Sequence, residues 1–132
     1  MAYPTGNDSA IRQLIESWAR AVETRDLDSI IANHSPDILM FDVPTVQLKG
    51  IEAYRESWQQ MFPWLGENGK FELTDLEVTA GEDVAFATAI LHCAGTELQR
   101  QGAELTIRLT LGLEKLDGQW TVMHEHHSEA SA

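Results

Sequence analysis

At 132 residues, 43% of them hydrophobic, the chain fits one domain with one core and is too apolar for a disordered polymer. Nine Lys and Arg against 21 Asp and Glu leave a net charge of -12, which excludes a nucleic-acid surface and works equally against anionic membranes. The single Cys93 allows no internal disulfide, no run approaches the ~18 apolar residues of a membrane helix, and MAYPTGND lacks the regions of a signal peptide, so a cytoplasmic protein is expected.

In chain order, Asn7, Asp8 and Ser9 are candidate N-caps for a first helix whose stripe is Ile11, Leu14, Ile15, Trp18 and Val22. Thr24-Arg25-Asp26 breaks it, and Asp26 is placed to cap a short second helix carrying Leu27, Ile30 and Ile31, with Pro36 as its stop. Residues 37–43, DILMFDV, read as a strand with Ile38, Met40 and Asp42 on one face and Leu39, Phe41 and Val43 on the other. Gly50 precedes a third helix in which Ile51, Tyr54, Trp58 and Phe62 form the stripe and Pro63 is the expected stop. Four strands follow, at roughly 70–79, 84–94, 103–115 and 119–128, with hairpin signals at Gly81-Glu82-Asp83 and Asp117-Gly118 and a polar connection over 95–102. Helices early and an antiparallel meander late predict one α+β domain over 1–132, its helices covering one face of a curved sheet that leaves a cone open at one end. An apolar cleft of that kind is the default site for a small molecule.

The element order, the SPDILMFDVP strand followed by a Gly-started helix, and the terminal DGQWTVMHEHHS together resemble the nuclear transport factor 2-like superfamily. Within it the chain is most similar to the SnoaL-like and ketosteroid-isomerase-like proteins, and its last motif is also similar to the association domain of calcium/calmodulin-dependent kinase. The resemblance covers about Ile11 to Ser128 and implies the cone-shaped fold. It also implies either proton transfer next to a carbonyl, as in isomerases, cyclases and dehydratases, or a non-catalytic ligand-binding or assembly domain. Asp42 matches the general base of the steroid isomerases, and Trp18 stands where they carry an oxyanion-binding Tyr. Their second oxyanion donor, an Asp, maps near Thr110 or Leu111, neither of them acidic. In that enzyme, a worked case of pKa tuning, an Asp base acts with a Tyr and a protonated Asp.

A carboxylate on the apolar face of Ile38 and Met40 is costly unless paired or neutralised, the condition a general base near neutrality needs. The three histidines of HEHHS depend on register. A two-residue turn at Asp117-Gly118 sets His124 across from Leu111 on the core side. A three-residue turn pairs Leu111 with Met123 and turns Glu125 and His127 to the pocket, as the kinase association domain suggests, with its basic residue at the place of His127. Both registers are open on sequence alone. His124 and His126 share one face and offer two imidazoles to a metal, with Asp42, His34 or His92 as a third ligand, but such spacing is common by chance and the resembled families are mostly metal-free. Tyr54, Trp58, Phe62 and Trp64 are core packing or the wall of a pocket. Arg108, among threonines, suggests an interface or a cross-strand salt bridge, and Cys93, between apolar neighbours, an inert thiol.

The sequence is therefore read as a homodimer associating through its sheet and binding a hydrophobic small molecule, with no cofactor and no metal. Asp42 and His127 are the expected catalytic residues. Trp18, Tyr54, Trp58, Phe62, His124, Glu125 and His126 are the expected ligand contacts.

Overall fold

The computed structural model describes residues 6–43 and 45–130. Residues 1–5 of the MAYPTGND segment and Pro44 of the strand motif lie outside them.

Helix α1 (Gly6–Glu23) buries Ile11, Ile15, Trp18, Ala19 and Val22, which recur at helical spacing. It begins before the three polar residues expected to cap it. Asn7 instead reaches out of the helix, donating to the Gly81 carbonyl and accepting from Lys115 Nζ and Trp120 Nε1 at 3.2, 3.0 and 3.3 Å. Helix α2 (Leu27–Ile31) is capped as the sequence predicts, the Asp26 carboxylate accepting from Ser29.

Strand β1 (His34–Phe41) starts earlier than expected and contains Pro36, so α2 ends without help from that proline. A register irregularity against the parallel neighbour β6 lies between His34 and Leu39. There the strand turns both His34 and Ser35 inward, then Ile38 and Met40. A two-residue strand β2 (Leu48–Lys49) leads into α3 (Ile51–Leu65), which buries Tyr54, Trp58 and Leu65. Pro63 does not stop α3. It sits inside the last turn, which closes through Gly66 N–H on the Phe62 carbonyl at 2.9 Å. Only at Gly66, with φ at 69°, does the chain leave the helix.

The meander is β3 (Lys70–Ala80), β4 (Val84–Ala94), β5 (Leu105–Leu116) and β6 (Gln119–Glu129). A five-residue helix α4 (Thr96–Arg100) interrupts what reads in sequence as a polar connection. The sheet order is β2-β1-β6-β5-β4-β3, with all pairs antiparallel except β1 with β6. In β3 the register shifts between Thr74 and Glu77, where Asp75 takes φ 54°, and Arg12 of α1 donates to the Leu76 carbonyl at 3.1 Å. Helices on one face of a curved, mostly antiparallel sheet make the cone-shaped α+β fold that the sequence predicts.

The β5–β6 turn decides which way the terminal histidines face. Leu116 pairs with Gln119 across a two-residue turn in which Asp117 and Gly118 both have positive φ. Neither expected register follows, because a bulge at Met123 shifts the pairing between Gly112 and Leu113. Leu111 then faces Glu125 and Leu109 faces His127. One extra residue turns Glu125 and His127 to the core and puts His124 and His126 on the outer face.

Candidate functional site

Glu125 is 0% exposed, yet it is surrounded by polar groups brought from four elements. Its Oε2 accepts the Tyr54 hydroxyl of α3 at 2.6 Å and meets His34 Nε2 of β1 at 2.9 Å. Its Oε1 meets His127 Nε2, two residues along β6, at 3.0 Å. Trp18 of α1 donates its indole N–H to the Tyr54 oxygen at 2.9 Å. Burial pushes the Glu125 carboxyl up, but hydrogen bonds from His127 and His34, and positive charge beside it, outweigh that and hold the group ionised, at about 2. Tyr54 is driven well above the ordinary tyrosine value by burial and by the charge of Glu125, so it stays a neutral donor.

This network ends at a cleft of about 350 Å³ whose lining includes Asp42, His127, Trp58, Trp64, Met40 and Phe71. His127 therefore has two faces, one on Glu125 and one on the cleft. Its Nδ1 is 4.0 Å from Asp42 Oδ1, beyond hydrogen-bond reach, while Asp42, 25% exposed, accepts from the Val43 N–H at 2.8 Å. An oxygen at about 2.8 Å from both would bridge them. A larger groove of about 480 Å³ lies beside α1 and the β5–β6 turn, and its described lining has no titratable side chain.

The residues expected from sequence divide by this geometry. Asp42, Trp58 and His127 line the cleft. Glu125 and Tyr54 lie fully buried behind it, and Trp18 donates its indole N–H to Tyr54 and lines the larger groove instead of this cleft. Phe62 packs against the core. His124 and His126 lie on the outer face, away from this cleft, their rings edge-to-face with Phe41, and His124 Nδ1 meets the Leu39 carbonyl at 2.7 Å. The residues weighed as a third metal ligand are dispersed, His34 to Glu125, Asp42 to the cleft, and His92 to Thr74 and Glu104. Among the described residues no group of three or more His, Cys, Asp or Glu is arranged to hold a metal ion. Among the described residues Arg108 makes no cross-strand salt bridge; it donates to Ser128 Oγ and the Glu129 carbonyl. Cys93 lines the cleft, its thiol pushed up by burial to about 12. In sequence His34 stands out only as a metal ligand, because the inward turn that joins it to Glu125 comes from an irregular strand start.

A family model for the SnoaL-like domain matches residues 11–132. The chain belongs to the SnoaL-like domain family. A nuclear transport factor 2-like protein of unknown function from Pseudomonas putida KT2440 is 36% identical, with 99% of this chain and 92% of that one covered at a TM-score of 0.89. A protein provisionally described as a dehydratase, from Streptomyces avermitilis, is 15% identical over 98% and 100% of the two chains, with a TM-score of 0.81. One provisionally described as a ketosteroid isomerase, from Shewanella frigidimarina, is 20% identical over 93% and 98%, at 0.76. These last two share the fold. No curated protein matches the chain. Like its relatives, this SnoaL-like chain puts its helices on one face of the sheet, and among its described residues no helix is long and apolar enough to cross a membrane.

Proposed function

We propose that the cleft binds a hydrophobic small molecule and moves a proton next to its carbonyl, as an isomerase, cyclase or dehydratase would, without a cofactor. The observation that carries this reading is the pair Asp42 and His127 at 4.0 Å on an apolar cleft, with His127 held from behind by buried Glu125. Asp42 takes the proton from the carbon beside the carbonyl. His127, reached through an oxygen lying between the two, receives it and returns it elsewhere on the ligand. A carboxylate behind an imidazole fixes its tautomer and steadies the charge it acquires, the logic of the hydrolase triad. Trp58 and Trp64 supply flat apolar walls. The same reading makes the protein a cytoplasmic homodimer.

A second reading, a non-catalytic binding domain, is favoured by one observation: the Trp18 N–H is donated to Tyr54, and Thr110 and Leu111 supply no acid, so neither oxyanion donor of the steroid isomerases has a counterpart in the cleft. A thermal-shift screen of hydrophobic carbonyl compounds, followed by deuterium exchange beside the carbonyl of each hit, separates the two. Exchange by the native protein that is lost in Asp42→Asn and His127→Gln supports proton transfer. Binding with no exchange supports the second reading, and exchange untouched by Asp42→Asn removes Asp42 as the base.

A further inference from the structure

The deep half of the network has no role in that proposal, and its hydrogen-bond directions assign it one. Both ring nitrogens of His34 face acceptors: Nδ1 meets the Ala32 carbonyl at 2.8 Å and Nε2 meets the Glu125 carboxylate at 2.9 Å. A carbonyl cannot donate, and neither can an ionised carboxylate, so each nitrogen must carry a proton. The nearby Tyr54 hydroxyl, 3.0 Å from Nε2, gives its own hydrogen to Glu125 and leaves that requirement unchanged. His34 is then an imidazolium with its side chain 1% exposed, and Glu125 at 0% is its counter-ion.

We propose that His34 is a positioning residue that neutralises Glu125 and so keeps His127 uncharged, with Nε2 protonated toward Glu125 and the Nδ1 lone pair presented to the cleft. One buried carboxylate serves two imidazoles but balances one positive charge. The deeper ring takes that charge because it lies between two acceptors. The ring at the cleft has Glu125 on one nitrogen and, among the described residues, Asp42 at 4.0 Å, beyond hydrogen-bond reach, nearest the other. Two titratable groups on this cleft pull the other way, since the charge of a nearby carboxylate favours a protonated ring, and the enclosed His34–Glu125 pair must outweigh them. Asp42 and Glu129 are carboxylates at its lining, Cys93 stays a neutral thiol, and the neighbouring faces of α1 and α3 present Trp18 and Trp58. Removing His34 would leave Glu125 uncompensated, and the charge would move to His127, converting a proton acceptor into an imidazolium. The inference rests on the proposed function only for its consequence, since the protonation states exist with or without turnover.

The test is long-range proton–nitrogen correlation on the full chain labelled with 15N-histidine at neutral pH. Native protein should show both His34 nitrogens protonated, and His127 protonated at Nε2 and bare at Nδ1. In His34→Gln, the imidazolium-to-neutral ratio of His127 should rise by about tenfold or more. Tyr54→Phe removes a hydrogen bond from Glu125 but no charge, so His127 should keep its bare nitrogen. A bare nitrogen on His34, or two protonated nitrogens on His127, in the native protein overturns the proposal even if His34→Gln does not fold. So does a folded His34→Gln variant whose His127 signals do not move. If the spectra agree but ligand exchange survives Asp42→Asn and His127→Gln, the functional reading fails and the charge assignment stands.

Discussion

Glu125 and Asp42 are both inward carboxylates, and their surroundings predict opposite responses to the same substitution. Glu125 joins His34, His127 and Tyr54, so Glu125→Gln leaves a buried imidazolium without its counter-ion, a loss of about 3–5 kcal/mol. Asp42 has one hydrogen bond, from the adjacent backbone, and Asp42→Asn should leave stability within about 0.5 kcal/mol. Urea titration of both variants against the native chain checks the contrast; equal losses would place Asp42 in the structural network. The pH dependence follows from the same residue. Glu125 is held below the ordinary 4.5, at about 2, so the native state keeps it ionised where the unfolded chain has begun to bind its proton. Its stabilisation is fully present above about pH 4.5 and lost as pH falls toward about 2. The gap in urea midpoint between native and Glu125→Gln should therefore be wide near neutrality and narrow below about pH 4. A gap that stays constant with pH would mean the carboxylate is not ionised in the fold.

Helix α1, α2 and the four long strands can be read from the sequence because each carries its own signal: an apolar stripe, an Asp cap, or a hairpin dipeptide. The errors fall where a tertiary contact overrides a local rule. Pro63 continues α3 because a proline in a final turn sacrifices one hydrogen bond while Gly66 supplies the end. The two irregularities that assemble the site, at the start of β1 and at Met123, have no residue signature, since bulges form where neighbouring strands demand them. Asp42 could thus be placed on the inner face from alternation alone, whereas the joining of His34, Glu125 and His127 could not. Gly95 is another such contact. It has an ordinary φ of -72°, but a Cβ there would lie 2.2 Å from the Trp64 carbonyl oxygen, so it lets the end of α3 lie against β4. Gly95→Ala should cost about 1–3 kcal/mol by overpacking and displace Trp64 at the cleft. The paired measurements are the melting temperature and the Trp64 fluorescence, taken as the difference spectrum against Trp64→Phe; an unchanged melting temperature would show that the two segments separate freely.

The six-stranded sheet has helices on one face only, and its other face, though largely polar, carries exposed apolar residues near the β4–β5 end. Val84 is 59% exposed, Phe86 52% and Leu116 45%, and Phe86 lies across from Gly112 on β5, which is followed by His124 on β6. Apolar residues on a strand face argue for a second protein surface against it, and a second copy of this chain supplies one by two-fold symmetry. The net charge of -12 sets a condition on that association, because two such chains repel. Salt screens the repulsion, with a Debye length of about 30 Å at 0.01 M falling to about 8 Å at 0.15 M, while apolar burial is little affected over that range. Dimerisation should therefore tighten as salt is raised, the reverse of an interface held by ion pairs. Light scattering at micromolar concentration should give about twice the chain mass of 14.8 kDa at physiological salt and a smaller average mass at low salt. Phe86→Glu puts a carboxylate in the middle of the patch at a position already half open to water, so it should give monomer with the melting behaviour of a folded chain. A native protein that scatters as a monomer at every salt concentration would show the outer face to be free. A dimer that persists in Phe86→Glu would place the interface elsewhere on the molecule.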